Sequence, residues 1–90
     1  MNTLISSLAN NQILITEANG DRHFKSYSTT VANIINGRIK LNSEYWSNQT
    51  ATTNRYLGDF LGIGQSGVKK YINSAIESGL IELTEDIVKF

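Results

Sequence analysis

Catalysis needs a placed base, nucleophile or metal, and few residues here qualify. The single histidine, His23, follows Asp21 by two positions, and Glu85 stands next to Asp86; these are the two acid–base candidates. His23 falls just after a turn signal on the more polar side of a strand, where an exposed imidazole needs no catalytic role, and Glu85-Asp86 reads as turn chemistry. There is no cysteine, which excludes a thiolate nucleophile and a disulfide framework, and one histidine excludes a His-rich metal cluster. Gly62, Gly64 and Gly67 crowd together but follow no strand, as a phosphate-binding loop would require. The sequence therefore implies a binder with no cofactor and no metal, not an enzyme.

The polar residues that remain in a patterned context lie in the stretch Leu57–Leu83 or just before it. Leu57, Phe60 and Leu61 have the spacing of one buried helical stripe, which Gly62 ends, and Ile63 plugs the turn that follows. After Gly64, the residues Val68, Ile72, Ala75 and Ile76 recur at helical spacing, leaving Lys69, Lys70 and Asn73 on the other faces. Gly79 closes that helix. Leu80–Leu83 then alternates as a strand, with Ile87–Phe90 as its return strand after Thr84-Glu85-Asp86. Upstream, Thr50, Thr52, Thr53 and Asn54 supply oxygens that cap free backbone N–H groups at a helix start.

Read together, Leu57, the small Gly58, Leu61-Gly62-Ile63, Val68-Lys69-Lys70, Ile72 and Gly79-Leu80-Ile81 resemble a winged helix-turn-helix. In that family the second helix enters the DNA major groove and the wing touches backbone. The resemblance implies a DNA-facing set of Gln65, Ser66, Lys69, Lys70 and Asn73; in a DNA complex Lys70, the wing and Arg55, just before the stretch, would contact phosphates. Gly64 and Gly67 depart from the family pattern, since capping and contact side chains usually stand there.

The first half reads as strands. Asn19-Gly20 suits a tight hairpin turn and would set Glu17 against Arg22, Ile15 against Phe24 and Ile13 against Ser26. Asn36-Gly37 does the same for Ile34 against Ile39 and Ala32 against Leu41, with Asn33, Arg38 and Lys40 on the opposite face. Asn2–Leu8, with Leu4, Ile5 and Leu8 on one side, reads as a short helix. The fold class expected is thus α+β: a small antiparallel sheet of two hairpins (residues 12–41) packed on a helix-turn-helix with a C-terminal β wing (residues 53–90). Its outer sheet face would carry His23, Lys25, Arg38 and Lys40. Tyr45 and Trp46 sit in a polar connection, where the rings either close the seam between sheet and helices or stack on bases.

Ninety residues make one domain with a modest core. Met1–Gly20 lacks the basic start of a signal peptide and no apolar run reaches membrane-spanning length, so the expected location is cytoplasmic. Eight basic and eight acidic residues give no net charge, which weakens sequence-independent attraction to DNA. The middle of the chain is positive, whereas Glu77, Glu82, Glu85 and Asp86 make its C-terminal end acidic.

A second resemblance runs through Phe24-Lys25-Ser26-Tyr27-Ser28-Thr29, Ala32, Ile34, Gly37, Leu41, Trp46, Thr52–Leu57 and Phe60-Leu61-Gly62. These look like an uncharacterised group of small bacteriophage and mobile-element proteins. Two functional expectations follow. One is a transcription regulator that binds double-stranded DNA, as a dimer, through Arg55, Gln65, Ser66, Lys69, Lys70 and Asn73. The other is a phage anti-defence inhibitor of the anti-CRISPR type. It would bind a host nucleic-acid-processing protein through acidic Glu77, Glu82, Glu85 and Asp86 or the sheet residues Lys25, Arg38 and Lys40.

Overall fold

The computed structural model describes residues 3–90. Five strands come first: β1 (Leu4–Ala9), β2 (Gln12–Thr16), β3 (Arg22–Ser26), β4 (Thr29–Ile35) and β5 (Arg38–Asn42). Three helices follow, α1 (Ser43–Ser47), α2 (Ala51–Leu61) and α3 (Val68–Glu77), and then β6 (Ile81–Thr84). All six strands form one sheet in the order β1-β2-β3-β4-β5-β6. The first five are an antiparallel meander, and β6 lies parallel to β5, opposing Ile81 to Ile39 and Leu83 to Leu41.

This corrects the expected fold class. The sheet is one mixed six-stranded layer that dominates the molecule, not two hairpins set on a helix-turn-helix with a wing. Leu80–Leu83 does supply strand residues, but they return to the main sheet, where Ile81 opposes Ile39 and is buried in the core that also holds Leu41 and Ile72. Ile87–Phe90 forms no return strand. That segment crosses the sheet face away from the helices, where the Val88 N–H donates to Asn33 Oδ1 (2.8 Å) and Asn33 Nδ2 donates to the Val88 carbonyl (3.1 Å). The Asn33 amide thus gives Val88 the two bonds that a neighbouring strand would otherwise offer.

Three local expectations also change. The helix expected over Asn2–Leu8 is strand β1 from Leu4 onward; Asn2 lies outside the described residues. Asn10-Asn11 turns β1 into β2, with Asn11 at φ 62°. The first hairpin is shifted by one residue, pairing Thr16 with Arg22, Ile15 with His23 and Leu14 with Phe24. Its five-residue connection is held by Asn19 and Asp21, whose side chains bond each other (3.2 Å) while Asn19 Oδ1 accepts the Asp21 N–H (3.0 Å). That local chemistry, with Asp21 Oδ1 also accepting the Asn36 N–H (3.1 Å), outweighs the two-residue Asn-Gly turn. The second hairpin pairs Ile34 with Ile39 and Ala32 with Leu41 across Asn36-Gly37, both at positive φ as a tight primed turn needs.

The shift moves Ile15 to the outer face, opposite His23, and brings Leu14 to the helix side with Phe24. Arg22 shares that helix side, its guanidinium 5.2 Å from the Phe60 ring centroid. His23 is on the outer face as expected, but buried rather than exposed. Its Nδ1 lies 2.8 Å from Asn33 Nδ2, its Nε2 lies 2.9 Å from Glu17 Oε2, and its ring stands 4.3 Å from that of Phe90. Because Asn33 Oδ1 is committed to Val88, Asn33 Nδ2 must be the donor to His23, so the imidazole carries its proton on Nε2 and gives it to Glu17. The histidine is a structural strut under the tail.

The main core lies between the opposite sheet face and the helices. Phe24, Ala32, Leu41 and Ile81 meet Trp46, Leu57, Phe60, Val68, Ile72 and Ala75 there, with the Phe24 and Phe60 rings stacked at 5.7 Å. Each such large side chain, fully buried, contributes about 1.5–3 kcal/mol. Trp46 is a core residue on α1, and the connection expected around Tyr45 and Trp46 is in fact helical from Ser43. Ser26 and Thr53 share a buried hydroxyl–hydroxyl bond (3.0 Å) that ties β3 to α2.

Candidate functional site

α2 and α3 are amphipathic, with Leu57 and Phe60 from one and Val68, Ile72 and Ala75 from the other pointing into the core. The Thr50 hydroxyl caps α2 by accepting the Thr53 N–H (3.3 Å), and Gly62, at φ 78°, ends it. Gly58 permits the close crossing of the pair, since a Cβ there would overlap the Gly64 carbonyl and lie 2.6 Å from Val68 Cγ2. At the start of α3 the capping position is Gly67, which has no side chain to offer the first N–H groups.

This crossing opens a groove of about 1050 Å³ between the link before α2, the first turns of α2 and the outer side of α3. Arg55, Gln65, Lys69, Lys70 and Asn73 line it, together with Gln49, Asn54, Ser74 and Glu77. Five of the six residues singled out from the sequence therefore converge on one surface. Ser66 is exposed in the turn and does not line the groove.

Charge in the groove is uneven along α3. Arg55, Lys69 and Lys70 are exposed. Among the described residues, the pairs between a basic group and a carboxylate within 4 Å are His23–Glu17 and Lys40–Asp86, so none of these three cations is neutralised. Glu77 enters the lining from the last turn of α3, about 12 Å along the axis from Lys69 at the ordinary helical rise. The N-terminal half of the groove is cationic and its far end is acidic.

Sequence reasoning did not find the groove floor. The Tyr45 hydroxyl donates to Asn54 Oδ1 (2.6 Å), and Asn54 Nδ2 donates to Gln49 Oε1 (2.7 Å), so α1 fixes two amides that line the groove. Burial pushes the Tyr45 phenol above its usual pKa, against the opposing effect of its bond to the Thr50 carbonyl. Gln65 is fixed as well, its Nε2 donating to Asp59 Oδ2 (2.7 Å). Tyr45, expected at a seam or on bases, and Asn54, expected to cap a helix, instead meet each other across nine residues, a pairing that periodic spacing does not encode.

The residues expected for protein binding are arranged differently. Lys40 pairs with Asp86 (3.4 Å) and opposes Glu82 across the β5–β6 ladder, so positive and negative groups interleave on that face. Lys25 lies half-buried on the same face, Arg38 is exposed at the start of β5, and Glu85 is exposed after β6. A uniformly basic outer face is therefore not formed.

Among the described residues, no helix is long and apolar enough to cross a membrane, and no three acidic or histidine side chains gather as a metal site. No curated protein and no solved structure matches the chain. Residues 3–78, which run from before β1 to the end of α3, match the profile of a family of unknown function, DUF8033, and the chain belongs to that family.

Proposed function

We propose that this protein is a non-enzymatic DNA-binding protein, a transcription regulator that holds double-stranded DNA along the groove between α2 and α3. The observation that carries this reading is the convergence of Arg55, Lys69 and Lys70, all without a carboxylate partner, with the amides Gln65 and Asn73 on one surface of a chain with no net charge. A neutral protein that keeps three cations together has concentrated its attraction for phosphate at one place.

The roles divide by position. Arg55 and Lys70 meet phosphates, and the uncapped N–H groups at the start of α3 donate to a further phosphate oxygen. Lys69, Gln65 and Asn73 approach base edges, where a lysine suits guanine and an amide suits adenine. Ser66, in the turn, reaches the flanking backbone. Ten helical residues span about 15 Å, a length that a major groove accommodates. Glu77 sets the limit of the contact by repelling backbone at the far end. In this reading the protein works without a cofactor in the cytoplasm of its host cell.

The test is a fluorescence-anisotropy titration of labelled duplex DNA at several salt concentrations. Binding that weakens with salt at a log–log slope between about −2 and −3 matches two or three phosphate contacts. No binding at low salt removes the proposal.

A further inference from the structure

The two free edges of the sheet are built differently. β6 has four residues, carries Glu82 and runs into Glu85 and Asp86, so it is short and acidic in the way that protects an edge from pairing. β1 has neither device. No residue from Thr3 to Thr16 is charged. Leu4 and Ile5 are 68% and 70% exposed, the two highest values among the large apolar side chains of the described residues. They lie on opposite faces, since Leu4 pairs with Thr16, beside inward Arg22, and Ile5 pairs with Ile15, beside outward His23. The strand is regular from Leu4 to Ser7, before a bulge that precedes Ala9.

We propose that β1 is a self-association edge, pairing antiparallel with β1 of a second copy of this chain. A two-fold axis normal to the sheet sets the strand against itself in the antiparallel sense, so each unpaired N–H and C=O finds its counterpart in the same segment. Across such an axis residue i faces residue j and j faces i, and a charge at the axis meets its own copy; an uncharged strand meets no such repulsion in any register. The absence of net charge on the whole chain likewise removes long-range repulsion between copies. A partner of different chemistry would be selected by charge, and Leu4–Ser7 offers none. Leu4 and Ile5 lose water on their two faces when the edge is covered. The contact is small, so the dimer is concentration-dependent. Because the axis preserves the faces of the sheet, both helix layers, and with them both α2–α3 grooves, end on the same side of one continuous sheet.

Sedimentation velocity of the full chain without nucleic acid tests this independently of what the groove binds. The expected result is a shift from monomer to dimer mass as concentration rises, abolished by Ile5→Lys and kept by Glu82→Lys at the other edge. Both sites are exposed, and thermal melts confirm that the variants fold; if Ile5→Lys does not, Leu4→Lys gives the same reading from the other face. A parent that stays monomeric at every concentration overturns the proposal. So does a dimer that the lysine at β1 leaves unchanged.

Discussion

Gly58 and Gly64 touch across the crossing of α2 and α3, so closely that the first atom of any side chain on Gly58 would overlap the Gly64 carbonyl. The position of Lys69 and Lys70 relative to Arg55 depends on this contact. Gly58→Ala sets two effects against each other: alanine favours the helix by about 1 kcal/mol, while overpacking costs about 1–3 kcal/mol. The Gly64 end is backbone and cannot move aside cheaply, so the net effect is destabilising. A thermal melt shows it as a lower Tm; a raised Tm would mean that the helices part without cost.

The α2–α3 pair was legible in the sequence because it is a local pattern. Leu57, Phe60, Val68, Ile72 and Ala75 declare their buried faces through spacing alone, and Lys69, Lys70 and Asn73 are exposed as a result. The sheet was legible where the turn decides the register, as at Asn36-Gly37, and misread where side chains decide it, as at Asn19 and Asp21. Leu4, Ile5 and Leu8 fit a helix as well as a strand over so short a run, and only pairing with β2 resolves them. The β5–β6 pairing joins residues 42 positions apart, Ile39 with Ile81, and no local signal reports it. Gln49 and Asn54 reach the groove through a hydrogen-bond chain to Tyr45, which spacing does not encode.

The tail offers a stability test. Asn33→Ala removes the partners of the Val88 N–H and of His23 Nδ1 together. His23 Nδ1, left unpaired in the interior, costs about 1–3 kcal/mol, so chemical denaturation of this variant should report a loss in that range. Hydrogen exchange at Val88 should quicken by a larger factor than at amides of β3 and β4. Equal stability of parent and variant would mean that the tail is not held through Asn33.

Alkaline pH tests the groove floor. Burial raises the folded-state pKa of Tyr45 above its unfolded value near 10. Its contribution is therefore fully present below about pH 10 and is lost as pH rises through the folded pKa, because the unfolded chain releases that proton first. Denaturant titrations across this range should show parent stability falling more steeply than that of Tyr45→Phe. At neutral pH the variant should lose about 1 kcal/mol with its bond to Asn54.

Single substitutions in the groove should separate two kinds of contact. Lys70→Ala should weaken binding to every duplex alike and reduce the salt slope by about 1. Asn73→Ala should keep the slope and relax preference at particular bases, seen by titrating duplexes that differ at single positions. Identical behaviour of the two variants would mean that α3 does not approach base edges.

The most direct measurement of the central claim compares two charge-matched pairs by anisotropy against the same duplex at low salt. Lys69→Ala with Lys70→Ala removes two cations from the groove, and Arg38→Ala with Lys89→Ala removes two from elsewhere on the surface. The groove reading predicts that the first pair abolishes binding and the second leaves it close to the parent's. Equal weakening by both pairs, or no binding by the parent, would contradict it.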